Sequence, residues 1–156
     1  MTRTVIIGGH GKVALLAAPL LAEAGHDVVS LIRNPDHAAE RQLLQVVLQY
    51  PGSVTGTEHS SLSATAFTAP ALALVHSAIT EAGGIERAVT LSHGAWVQQV
   101  RDAADPRVHD LVGELSVAGL PVRMSNGQPP AGYVEGLVAR LRIVELNRLI
   151  ADALGA

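Results

Sequence analysis

The sequence predicts an α/β protein: a Rossmann-like, doubly wound parallel sheet of about five strands, short of one strand of the full fold, with residues 1–156 as a single domain. Three observations predict it. Short β-branched runs alternate with helical stretches along the chain, glycine and proline punctuate the changes, and the first change of rhythm is a glycine-rich turn, "TVIIGGHGKVA", residues 4 to 14.

Taken in order, Val5 to Ile7 is apolar throughout, as expected of a strand buried on both faces. Lys12 to Ala24 is helical in composition and ends at Gly25, with Pro19 kinking it or delaying its start. "DVVSLIR", Asp27 to Arg33, is a second strand, and Asn34-Pro35-Asp36 opens the next helix. "RQLLQVVLQY" continues that helix to Tyr50 or begins a third strand near Leu43. Pro51 to Thr68 is a loop of Gly, Ser, Thr and Pro. Ala69 to Ala82 forms a helix with Pro70 in its first turn and Gly83-Gly84 behind it. "RAVTLS", Arg87 to Ser92, is a strand, Pro106 to Ala118 a helix closed by Gly119, "LPVRMS" a strand, and Val134 to Leu154 a long terminal helix.

Composition narrows the function. The formal net charge is −3, and the scattered arginines form no basic stripe, which argues against a nucleic-acid partner. Cysteine is absent, excluding disulfides, thiolate catalysis and Cys-ligated zinc. The N-terminal run "VALLAAPLLAEAG" imitates a signal peptide, but Pro19 and Glu23 keep it far below the ~20 apolar residues of a membrane span. The expectation is a cytoplasmic protein with no membrane partner and nothing removed.

The glycine turn carries the chemistry. Backbone N–H groups exposed at a helix N-terminus can hold a pyrophosphate, provided no side chains block the approach. Gly8, Gly11 and Ala14 fit one glycine spacing of this kind, and Gly9, Gly11 and Ala14 another; a tight turn that binds nothing is the alternative. His10 and Lys12 lie in the same turn. At the end of the second strand, where an acidic residue commonly holds the ribose of NAD, stands Arg33. A guanidinium there suits the 2′-phosphate, so the expected cofactor is NADP(H), unless Arg33 is simply a solvated residue leaving a strand.

These residues also carry a resemblance. "VIIGGHGKVALLAAPLLAEAGHDVVSLIRNP" is similar to the start of the atypical short-chain dehydrogenase/reductase family, in its NmrA-like, NAD(P)H-binding branch. "EAGGIERAVTLSHGA" and "HDLVGELSVAGLPVRMSNG" resemble later parts of that family more loosely, and residues 41 to 70 do so poorly. The resemblance implies cofactor contacts for Gly8, Gly11, Lys12 and Arg33 and places Ser92 near the nicotinamide; Gly9 belongs to the second glycine spacing of the turn, and His10 there either stacks on or hydrogen-bonds the cofactor or is a solvated loop residue. The family's Tyr-Lys pair has no counterpart, because Lys12 is the only lysine. Ser92, His93 and His109 are then the candidate catalytic residues, the imidazoles because they titrate near neutral pH. None of the seven histidines has the spacing of a metal motif, so no metal site is expected.

The expected function is an NADP(H)-binding oxidoreductase acting on a small organic, quinone or flavin acceptor. The alternatives are an NADP(H)-sensing or scaffold protein without turnover, and a truncated relative with a vestigial site. An incomplete sheet and the apolar face Leu137, Leu141, Val144 and Leu149 of the terminal helix predict a homodimer.

Overall fold

The computed structural model describes residues 3–7, 27–31 and 35–155. The chain divides into two compact units, Met1–Pro35 and Asp36–Ala156. In the first, strand β1 (Arg3–Ile7) pairs in parallel with β2 (Asp27–Leu31), Val5 facing Val29 in the register. Both strands fall where the β-branched runs place them. The glycine turn, the helix expected over Lys12 to Ala24, and Arg33 lie outside the described residues.

The second unit overturns the expected fold class. Its described residues form no strand; they build a helical bundle, so among the described residues there is no doubly wound sheet of about five strands. The bundle comprises α1 (Pro35–Gln49), α2 (Gly56–Ser60), α3 (Pro70–Glu81), α4 (Gly84–Ala88), α5 (His93–Ala103), α6 (His109–Leu115) and α7 (Ala131–Gly155), with single 3-10 turns at Pro51–Ser53, Ala64–Ala66 and Pro106–Val108.

Helix α1 is the centre of this unit. Leu43, Leu44, Val46, Val47 and Leu48 are all buried, and so is Gln45 among them, so this stretch of helix is covered on every side rather than along one stripe. That is why "LLQVVL" reads equally as a strand: a continuous apolar run has no period to distinguish the two. The carbonyl of Val47 would bond the N–H of residue 51, but Pro51 has none. The indole Nε1 of buried Trp96 on α5 donates to it instead, at 3.2 Å.

Polar side chains of α1 reach the ends of its neighbours. Gln49 Nε2 donates to the carbonyls of Leu115 (2.8 Å) and Ala118 (2.7 Å), occupying acceptors at and just past the C-terminus of α6. Glu40, buried, serves α3 from the other direction. Ala69 precedes α3 and has no side chain to cap it. The Glu40 carboxylate accepts from Thr68 N (2.7 Å), Thr68 Oγ1 (2.6 Å) and Ala69 N (3.1 Å), acting as a cap supplied by another helix. In α2 the cap is local: Thr55 and Glu58 form a reciprocal capping box.

The two remaining expected strands fail for different reasons. The first part of "RAVTLS" belongs to α4, where Ile85 and Ala88 sit three apart and both are buried, a helical spacing. Gly83 begins α4 at φ +113°, and a Cβ there would lie 2.6 Å from Arg87 Cβ. "LPVRMS" runs unpaired into a tight turn in which Ser125 and Gln128 exchange backbone hydrogen bonds of 2.8 and 3.1 Å. Asn126 and Gly127 both have positive φ, the signature of a type I′ turn. Among the described residues no helix is long and apolar enough to cross a membrane.

Two histidines are part of the core. His76 on α3 stacks on Phe67 at 4.5 Å between ring centroids, and its Nε2–H donates to the Leu62 carbonyl at 3.0 Å. His59 packs against it, centroids 5.0 Å apart. His59 Nε2 and His76 Nδ1 are buried without a hydrogen-bond partner. Burial, and secondarily the neighbouring His76, push the His59 pKa down to about 4. Burial also lowers that of His76, against an opposing contribution from the Leu62 carbonyl.

Because the folded state holds His59 below its unfolded pKa of about 6.5, the unfolded chain binds more protons between these values. Stability should be full above about pH 6.5 and fall as the pH drops toward 4, by roughly 3 kcal/mol from His59. Urea unfolding of wild type and His59→Phe at pH 7 and pH 5 checks this; the loss should shrink in the variant. Glu40→Ala should cost about 3 kcal/mol, since it leaves two backbone N–H groups and one hydroxyl without an acceptor. Equal denaturation midpoints for that variant and the wild type would contradict the cap.

Candidate functional site

The residues expected to act on a nicotinamide do not share a cleft at strand ends, because those strands are absent. Ser92 is the N-cap of α5, its Oγ accepting from Ala95 N at 3.3 Å, and His93 is the exposed first residue of that helix. His109 opens α6, with Nε2–H donating to the Ala104 carbonyl at 3.1 Å. Among the described residues no hydrogen bond joins any two of the three. Gly8, Gly9, His10, Gly11, Lys12 and Arg33 lie outside the described residues. No group of three or more metal-ligating side chains occurs among those described.

The surface that stands out is on α7. Its first half is a bundle helix: Val134, Leu137, Val138 and Leu141 are buried in the core. From Leu146 to Gly155 every residue is exposed. Four large apolar residues nevertheless follow at helical spacing: Ile143 (58% exposed), Leu146 (57%), Ile150 (56%) and Leu154 (83%). At about 100° per residue they form one row, roughly half a turn round the helix from the core-facing side chains. Folding therefore cannot cover them within the bundle. Leu149, also exposed, flanks the row.

Polar contacts occupy the core-facing side of this second half. Glu145 Oε1 accepts from Ser63 Oγ (2.5 Å) and Thr65 Oγ1 (2.8 Å), Arg142 donates to Ser61 Oγ, and Arg148 donates to the Thr65 carbonyl. Hydrogen bonds from the Ser63 and Thr65 hydroxyls, and then the positive charge of Arg148, hold the Glu145 carboxyl below its ordinary pKa. The arrangement has no nucleophile activated by a base and no convergent acid-base pair. It can offer an apolar ridge of i, i+3, i+7, i+11 anchors to a groove on another protein.

The sequence signal for this row is the spacing of Ile143, Leu146, Ile150 and Leu154. Selecting Leu137, Leu141, Val144 and Leu149 mixes the core face with the exposed flank, since Leu137 and Leu141 are buried and Val144 is half-buried.

Comparison with known proteins agrees with the helical bundle. The chain is 35% identical over 121 residues to the DNA primase of Mycobacterium tuberculosis, covering 77% of this chain and 18% of that protein. It is 33% identical over 140 residues to the DNA primase of Streptomyces coelicolor, covering 89% and 21%. The chain thus spans about a fifth of the length of these curated relatives. Among solved structures, the helicase binding domain of primase from Mycobacterium tuberculosis superposes with a TM-score of 0.64 at 32% identity, over 76% of this chain and 71% of that one.

These findings correct the family resemblance and the function drawn from it. The short-chain dehydrogenase/reductase resemblance rests on residues 4 to 40, and the later segments that extend it, Glu81 to Ala95 and His109 to Gly127, lie in a helical primase-like domain. Neither an NADP-dependent oxidoreductase nor an NADP sensor of NmrA-like type is supported, nor is a vestigial form of either. A small-molecule substrate, the exclusion of nucleic acid, and a homodimer are corrected on the same ground, because the related domains are described by their binding of another protein within a DNA primase. With residues 40–154 matched by the family model described as DNA primase DnaG DnaB-binding, the chain belongs to that family.

Proposed function

We propose that residues 36–155 form the helicase-docking module of a DNA primase, binding a DnaB-type helicase through the apolar row of α7. The single observation that carries this reading is the row itself: Ile143, Leu146, Ile150 and Leu154 lie on the side of the helix that faces away from its own bundle. A row of this length at a regular helical spacing fits recognition of a helix in a groove, in which each anchor enters a separate depression of the partner. The chemistry of the site is association, and no catalytic step is assigned to it. A replication protein of this kind acts in the cytoplasm, and that location is part of the proposal.

A separate proposal concerns residues 1–35 alone. NADP(H) is proposed as a ligand of that unit, with no oxidoreductase or sensing role attached to it. The in-register parallel pairing of β1 with β2 supports it, being the strand arrangement that suits a phosphate-binding turn over Gly8 to Lys12 and a 2′-phosphate contact at Arg33.

Both proposals have direct measurements. Leu146→Asp combined with Ile150→Asp should leave the unfolding midpoint nearly unchanged, because both positions are exposed, and should weaken binding to a DnaB-type helicase by roughly 30-fold or more. Calorimetric titration checks the affinity, and an unaltered affinity in the folded double variant would sink the docking surface. For residues 1–35, NADPH should bind with an affinity that Gly11→Val lowers at least tenfold, by placing a branched side chain where the pyrophosphate approaches. Absence of any NADPH binding to the full chain would refute the ligand.

A further inference from the structure

The second half of α7 has no buried side chain to fix its direction. Beyond Leu141 only Val144 and Glu145 are even partly covered, and polar contacts to residues 61–65 join the segment around Glu145 to the bundle. That short segment is itself firmly held. Leu62 and Ala66 are buried on either side of Ser63 and Thr65, and the Leu62 carbonyl accepts from His76. Ser61 Oγ donates to the Glu58 carbonyl at 2.7 Å, which fixes the hydroxyl that Arg142 reaches. The three oxygens of Ser63, Thr65 and Glu145 lie in a triangle, the two hydroxyls 2.6 Å apart and both bonded to one carboxylate oxygen. Arg142 and Arg148 bind the same segment about one turn before and after Glu145. A carboxylate between two guanidiniums, aimed at two hydroxyls on a rigid base, is a clasp.

We propose that Glu145 is a positioning residue of the docking helix: its clasp on Ser63 and Thr65 sets the direction in which residues 146–155 leave the bundle, and with it the presentation of the apolar row to the helicase. This inference rests on the helicase-docking reading. The apolar anchors contribute the contact area, and the clasp raises the fraction of molecules whose row is already oriented for binding. Affinity follows that fraction.

The test uses the full chain with Glu145→Ala, Glu145→Gln and the double change Ser63→Ala with Thr65→Ala, alongside Leu146→Asp. Amide hydrogen exchange is read separately over 134–141 and 143–155, and affinity for a DnaB-type helicase is measured in parallel. Glu145→Ala and the double alanine variant should speed exchange over 143–155 by about tenfold while leaving 134–141 unchanged, the two lost hydrogen bonds being worth about that factor. Helicase affinity should fall about three- to tenfold. Glu145→Gln keeps an acceptor oxygen for both hydroxyls and should restore both readings to within about twofold of wild type. Unchanged exchange in Glu145→Ala overturns the clasp. Faster exchange with unchanged affinity, in a preparation where Leu146→Asp does abolish binding, overturns its positioning role. If Leu146→Asp binds as well as wild type, the docking reading fails and this inference fails with it.

Discussion

Between Leu43 and Leu48 every apolar side chain of α1 is buried, so this helix can exist only surrounded, and the surrounding helices must bring it both surface and hydrogen bonds. The consequences run outward from its backbone. Pro51 cannot supply the N–H that the Val47 carbonyl needs, and Trp96 answers from α5, which fixes where α5 lies. Gln45 and Gln49 point at the C-terminal end of α6, and Gln42 accepts from Tyr133 of α7 at 2.7 Å. A helix with a solvated face would not have required so many partners. Here the polar residues of α1 locate α3, α6 and α7.

Glu40 shows how far this dependence extends. A carboxylate removed from water is costly unless its oxygens are satisfied, and here Thr68 and Ala69 satisfy them. The same bonds start α3, the helix that carries His76. His76 in turn holds the Leu62 carbonyl, and residues 61–65 hold α7. From a buried acid near the start of α1 to the exposed end of α7, order is passed by short hydrogen bonds between segments distant in sequence. Such contacts have no local pattern, which explains why none of them could be read from the chain.

What was legible followed from local rules. Pro70 and the pair Gly83-Gly84 bound α3 where proline and glycine should, and the long helix after residue 130 is evident from its composition. β1 and β2 stand at their β-branched runs. The start of α5 is masked in the sequence, although Ser92 caps it and Trp96 and Val100 sit four apart, because the β-branched "RAVTLS" reads as a strand ending at that serine. The glycine-rich stretch and second strand at the N-terminus predict a parallel sheet, a pattern that the downstream segments do not share. The paired strands β1 and β2 constrain only about the first 35 residues. They say nothing about the period of those that follow, and in "LLQVVL" burial on every side had erased the period altogether. The candidate site was partly legible for the same reason: its helix could be found, but which apolar row faces the core depends on packing.

The division of α7 into two halves ties the fold to its use. Ten exposed residues are fewer than the ~12–15 that an isolated helix needs to be even marginally stable in water, so the helicity of 146–155 propagates from the buried first half. Leu, Ala and Arg predominate from 146 to 154, with Asn147, Ile150 and Asp152 among them and no proline or glycine before Gly155, and this permits propagation at modest cost. The cost that remains is the exposure of large aliphatic side chains. Single exposed leucines are ordinary on protein surfaces, whereas a row that persists for three turns on the side opposite the core has no role in folding the chain. Turning the row inward would require rotating α7 by half a turn, which would expose Val134, Leu137, Val138 and Leu141 and break the contacts of Arg142, Glu145 and Arg148. The bundle thus holds the helix in the one rotation that leaves the row outside.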